Sequence, residues 1–149
     1  MLLSDIAGAG DNDAFVNAAL NIYQESLDNR IWSIIMIQKV MEKRKPHYVL
    51  SVLKELFRKG EKTRAITNTA LKGAASEGYM TVDDIGEVIE KLCSEHFYKS
   101  MTEYHNHKVW QDVYRYQDGE KALYIKLQLS FDGKRAILIQ MKRDEGRDE

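Results

Sequence analysis

The chain predicts an α+β fold, with N-terminal helices packed on an antiparallel C-terminal β-sheet. Three observations carry this. Apolar residues between Pro46 and Leu92 recur at helical spacing. Beyond Leu92 the period changes to two. Two Asp-Gly pairs, Asp118-Gly119 and Asp132-Gly133, then punctuate the alternating runs as hairpin turns.

The elements follow in order. Residues 1–10 are small and flexible. Asp11 or Asn12 is suited to cap a helix containing Phe15, Ala18, Ala19 and Ile22, and the run from Ile31 to Val40 is apolar without a decided period. Composition shifts at Met41, where MEKRKPH begins. Pro46 opens a helix whose stripe is Val49, Val52, Leu53, Leu56 and Phe57, stopped by Gly60. An alanine- and threonine-rich helix runs from Arg64 to Glu77 and ends at Gly78. Thr81 with Asp84 forms a capping-box pattern ahead of a third stripe, Ile85, Val88, Ile89 and Leu92. Leu123, Ile125, Leu127 and Leu129 then alternate with polar residues, as do Ile137, Ile139 and Met141. Residues 143–149 are charged and read as a disordered tail.

Composition sets bounds on function. The length of 149 residues fits one domain with an added arm. The longest mostly apolar stretch, IWSIIMI, is far short of the roughly 20 residues needed to span a bilayer. No basic segment opens the chain, so no secretory signal is expected. The single Cys93 permits no internal disulfide, fits a reducing cytoplasm, and reads as a small buried thiol. His105 and His107, with His96 nearby, resemble a metal pair. They lack a cysteine partner or a carboxylate at helical spacing and read as surface histidines, so no metal site is expected. The net charge of −1 hides an asymmetry. Residues 1–40 hold two basic and five acidic side chains, and the remainder holds twenty and eighteen. Contact with a nucleic acid must therefore come from local clustering.

Register decides which side chains share a face, because a one-residue slip turns every one of them over. A two-residue turn at Asp118-Gly119 pairs Val113 with Tyr124 and Gln111 with Lys126. Gln111, Arg115, Tyr124 and Lys126 then share one face, while Trp110 and Tyr114 join the core side with Leu123 and Leu127. Asp112 is the misfit on that core side. A three-residue loop, Phe131-Asp132-Gly133, pairs Leu127 with Ile137, Ile125 with Ile139 and Tyr124 with Gln140, leaving Lys142 diagonal to Tyr124. The face of Lys99 does not follow, since Phe97–Tyr104 alternates poorly. By default a strand lysine is a solvated charge and a strand tyrosine is half core.

The stretch FYKSMTEYHNHKVWQDVY, Phe97–Tyr114, concentrates lysine, tyrosine, histidine, tryptophan and glutamine. Such groups can activate a 2′-hydroxyl, protonate a leaving 5′-oxygen and offset phosphorane charge without a metal, and the aromatics can stack bases. FYKSMT followed by WQDVY resembles the motility quorum-sensing regulator toxins, small RelE-like mRNA interferases of toxin–antitoxin pairs, over residues 41–142. The resemblance implies catalytic roles for Lys99, Gln111, Tyr124 and Lys142, and it implies ribosome-independent cleavage of mRNA in the cytoplasm. It also implies neutralisation by a helix-turn-helix antitoxin, which in this family carries a zinc-binding N-terminal domain. No cofactor and no membrane partner are expected. Arg115, Lys126 and Tyr98 are the expected RNA contacts. A basic, aromatic face that holds RNA or an antitoxin strand without cutting is the alternative. Residues 1–40 are either an acidic arm over that face or an extension upstream of the true start at Met41.

Overall fold

The structure, a computed structural model, describes residues 40–146. The helix expected around Phe15–Ile22, most of the Ile31–Val40 run and residues 147–149 lie outside the described residues. Contacts divide the chain into two units, Met1–Val40 and Met41–Glu149, and every element named here belongs to the second.

Among the described residues, three α-helices and six strands follow in the order β1 (Glu42–Lys43), α1 (Leu50–Lys59), β2 (Arg64–Ile66), α2 (Asn68–Ser76), α3 (Val82–Lys91), β3 (Phe97–Glu103), β4 (Asn106–Asp118), β5 (Lys121–Leu129) and β6 (Ala136–Arg143), with one 3-10 turn at Ser94–His96 before β3. The expected α+β class is observed, and its layout agrees with a RelE-like fold. The sheet order is β1-β3-β4-β5-β6-β2. All neighbours are antiparallel except β2, which runs parallel to β6. Leu53 and Phe57 of α1, Ala70 and Ala74 of α2, and Ile85, Val88 and Ile89 of α3 form one core with Tyr114, Leu123, Ile125, Leu127, Leu138 and Met141. The helices therefore cover one face of the sheet.

Several boundaries differ from expectation. Pro46 does not open α1, which begins at Leu50 after Val49. Val49 and Val52 are exposed, and the buried stripe is Leu53 and Phe57 with Leu50 and Leu56 packed beside it. Gly60 ends the helix at φ +140°, as expected. Arg64–Ile66 is a strand, because the free edge of β6 offers backbone partners that no local pattern announces. The second helix therefore starts only after Thr67, whose hydroxyl accepts from the Ala70 amide at 3.0 Å. The capping box at Thr81 and Asp84 is present in full. Cys93 is exposed, not buried, because Leu92 fills the core position at the end of α3. Arg143 closes β6, and Asp144 pairs with Arg115 at 2.9 Å.

Both hairpin registers are corrected. The first turn is Gly119-Glu120, with Asp118 opposite Lys121. Asp118 stays in the strand, where its carboxylate accepts from the Tyr79 hydroxyl. The shift is two residues, so the sharing of faces survives while the partners change. Arg115 faces Tyr124, and Val113 faces Lys126. In the second hairpin Leu127 pairs with Leu138, but Lys126 pairs with Gln140, which leaves Ile139 as an extra residue. This β-bulge reconciles two buried sets of opposite parity. Ala136 and Leu138 face the core before it, and Met141 after it. Ile137 and Ile139 consequently leave the core face that simple alternation gave them, and Lys142 comes directly opposite Tyr124.

Candidate active site

Lys99 is placed by a second irregularity. Between Phe97, opposite Tyr114, and Lys99, opposite Val113, the register of β3 against β4 shifts at Tyr98. The shift sends Phe97 toward the helices and Lys99 toward the other face. It also explains why alternation fails over this strand. Lys99 therefore joins Gln111, Arg115, Tyr124, Lys126 and Lys142 on the face opposite the helical layer.

The register orders these side chains in rows across the strands, which lie about 4.8 Å apart. Lys99, Val113, Lys126 and Gln140 form one row. Arg115, Tyr124 and Lys142 form the next. Glu42, Met101 and Gln111 form the row on the other side. All four expected catalytic residues and the expected contacts Arg115 and Lys126 are thus brought together, with Tyr98 at their margin.

Burial separates them from ordinary surface polar groups. Lys99 is 1 % exposed, Tyr124 2 % and Gln111 6 %. A solvated strand lysine would not be enclosed in this way, because an ammonium loses hydration on burial and requires partners. Lys99 Nζ lies 2.7 Å from Glu42 Oε2, an ion pair in which the glutamate side chain is 38 % exposed. The Gln111 amide donates to Gln128 Oε1 at 3.0 Å, which fixes the carboxamide plane. Lys142 Nζ sits 5.0 Å from the centre of the Tyr124 ring and Lys126 Nζ 5.9 Å from it. The Arg115 guanidinium stacks 4.0 Å over Tyr98, and Arg44 approaches the same ring at 5.3 Å. Each tyrosine ring thus gathers cations over its negative face. Arg115 is held from its far side by Asp144. Beside Gln111 and Lys126 a groove of about 320 Å³ is lined also by Met101, Tyr104, His105 and Ile139.

Asp112 proves to be the anchor of the site's support. It is fully buried on the helical side. Its carboxylate accepts from the His47 amide at 3.1 Å, the Tyr48 amide at 2.9 Å and the Ser100 hydroxyl. This fastens the segment leading into α1 to β3 and β4. Trp110 is not core, as expected of it, but half-buried. It stacks on His47 at 5.4 Å, with Lys43 Nζ 4.3 Å from its ring, on the side away from Lys99. Desolvation, reinforced by Lys43, holds His47 below its ordinary pKa, so that ring is neutral near pH 7. Tyr114 is core as expected, and burial, with Asp112 nearby, pushes its hydroxyl upward, so it stays protonated.

Sequence reasoning missed Glu42 and Arg44. The only signal was their spacing of two in MEKR, which a two-residue strand leaves unconvincing. Among the described residues, no cluster of three or more His, Cys, Asp or Glu is arranged to hold a metal ion. No helix among them is long and apolar enough to cross a membrane.

A helix-backed sheet whose other face carries interleaved lysine, arginine, tyrosine and glutamine defines a small toxin-type domain of the RelE-like class. The chain belongs to the family described as motility quorum-sensing regulator, toxin of MqsA, whose model matches residues 45–143. It is also similar to the mRNA interferase toxin MqsR of Escherichia coli (strain K12). The two are 40% identical over 92 residues, which is 62% of this chain and 91% of that protein.

Proposed function

We propose that this chain is an mRNA interferase, a toxin that cleaves single-stranded mRNA by attack of a ribose 2′-hydroxyl and is neutralised by a cognate antitoxin. The observation that carries this reading is the convergence of Lys99, Gln111, Arg115, Tyr124 and Lys142 on one sheet face. Two strand irregularities are required to bring them there. In the reaction the 2′-oxygen bonds to phosphorus as its proton passes to a base. The bond from phosphorus to the 5′-oxygen then breaks as that oxygen is protonated. The products are a 2′,3′-cyclic phosphate and a 5′-hydroxyl. Lys99 and Lys142 offset the charge that builds on the phosphoryl oxygens, each such contact being worth about 3–4 kcal/mol. Tyr124, opposite Lys142, transfers a proton, a contribution of roughly 10²–10⁴-fold. Gln111 orients the scissile phosphate or a base. Arg115, Lys126 and Tyr98 hold the flanking strand, and the groove beside Gln111 accepts a base.

On this reading the chemistry needs neither a metal ion nor the ribosome, and it takes place in the cytoplasm. Met41–Lys142 is the toxin domain and residues 1–40 an extension to it. The antitoxin is a helix-turn-helix protein with a zinc-binding N-terminal domain. The test is incubation of the purified chain with single-stranded RNA in EDTA. Cleavage is expected, and its rate falls roughly 10²–10⁴-fold in Lys99→Ala and in Tyr124→Phe. Intact RNA with a well-folded wild-type chain would refute the nuclease reading. Salt-sensitive retention of uncut RNA would instead establish a binding module.

A further inference from the structure

We propose that Glu42 is a positioning residue of the active site, acting by holding the Lys99 ammonium at a fixed point on the sheet face. The inference rests on the nuclease reading above. Glu42 lies outside residues 45–143, the stretch that the family model matches, and its place follows from the tertiary structure alone. Strand β1 has two residues, too few to hold a side chain by pairing alone. It is nevertheless clamped at both ends. The Met41 amide donates to Thr102 Oγ1 at 2.9 Å, and the Thr102 amide returns a bond to the Met41 carbonyl at 3.0 Å. Four to six residues later the buried Asp112 carboxylate grips the His47 and Tyr48 amides. Between these clamps Glu42 stands opposite Met101, on the face that carries Gln111.

From there its carboxylate meets Lys99 Nζ at 2.7 Å. A lysine side chain has four rotatable bonds, so burial of its stem does not by itself fix the ammonium. A charged acceptor at hydrogen-bond distance does. Among the described residues, the charged and titratable groups around this pair are Arg44 just after β1, Tyr98 on β3, Arg115 on β4, Tyr124 and Lys126 on β5 and Lys142 on β6. Four of these six are cationic, so their field disfavours an ammonium at this point of the face. Among the described residues, the Glu42 carboxylate offsets this field at Lys99, as Asp144 does at Arg115. Misplacing a catalytic group by about 1 Å costs on the order of 10²-fold in rate.

The test is a double-mutant cycle on single-turnover RNA cleavage with the full chain, using Glu42→Gln, Lys99→Ala and the pair. Glutamine keeps the shape and an acceptor oxygen, so the melting temperature should hold. The cleavage rate should fall about 10–100-fold, through kcat with KM little changed. In the Lys99→Ala background the same change should have no further effect, because its target is gone. Wild-type cleavage rates in Glu42→Gln would overturn the inference while leaving the nuclease reading intact. So would an equal loss in both backgrounds, which marks a structural role. A wild-type chain that cuts no RNA would remove both.

Discussion

Gly73→Ala sets two effects of opposite sign against each other, and the structure decides between them. Gly73 lies inside α2, in the run Ala70–Ala75. Helix propensity alone favours alanine there by about 1 kcal/mol. A Cβ built on Gly73, however, would stand 2.2 Å from the Met141 carbonyl oxygen, where an ordinary contact begins at 3.4 Å. Helix or strand must retreat by about 1 Å, and neither partner is the free end of a flexible side chain. Overpacking of this kind costs roughly 1–3 kcal/mol, and a clash with backbone belongs at the upper end. The net expectation is a loss of about 1–2 kcal/mol. For a domain of this size that is a fall in melting temperature of roughly 5–15 °C. The same Cβ lies 3.5 Å from Lys142 Cβ. Displacement of β6 should therefore also lower RNA cleavage, by more than the unfolded fraction explains. Differential scanning fluorimetry and a cleavage time course measure the two effects. A melting temperature equal to or above wild type would refute the close-packing argument.

Three further outcomes are expected. Asp112→Asn leaves one acceptor oxygen where two amides and a hydroxyl converge. The loss should be about 2–4 kcal/mol of stability in urea unfolding, and an unchanged midpoint would show that the anchor is dispensable. Thr81→Ala removes the cap on the Asp84 amide at 3.0 Å. It should cost about 1 kcal/mol, read as a small downward shift of the same curve with unaltered cleavage. His47 is held below its ordinary value of 6.5. A base with a depressed folded pKa favours the unfolded chain once protons are available. Its contribution to stability is therefore present above about pH 6.5 and is lost as pH falls below it. Stability measured from pH 7.5 to 5 should decline less steeply in His47→Gln than in wild type, and parallel curves would contradict this.

Much was legible from local pattern. Thr81 and Asp84 cap a helix by a reciprocal contact within three residues, and Ile85, Val88 and Ile89 mark its buried face without help from the rest of the chain. The sharing of a face by Gln111, Arg115, Tyr124 and Lys126 also followed from alternation. It survived a wrong turn assignment because the error was two residues and the side-chain period is two. Motif resemblance then pointed to Lys99 and Lys142 without saying where either side chain goes.

What the sequence determined by itself, then, is the class of fold, the helical stripes and the polar face of β4 and β5, all consequences of periodicity over neighbouring residues. The tertiary structure decided what depends on distant partners. Arg64–Ile66 became a strand because β6 had an open edge. The extra residue at Ile139 is tolerated because Leu138 and Met141 both find the core, and it turns Lys142 toward Tyr124. The shift at Tyr98 turns Lys99 away from the helical layer. Glu42, 57 residues earlier, reaches that lysine only because Thr102 and Asp112 fasten its segment across the sheet. A bulge changes the parity of everything beyond it, and its energy is repaid by packing against residues remote in the chain. No local reading of the strand can therefore locate it.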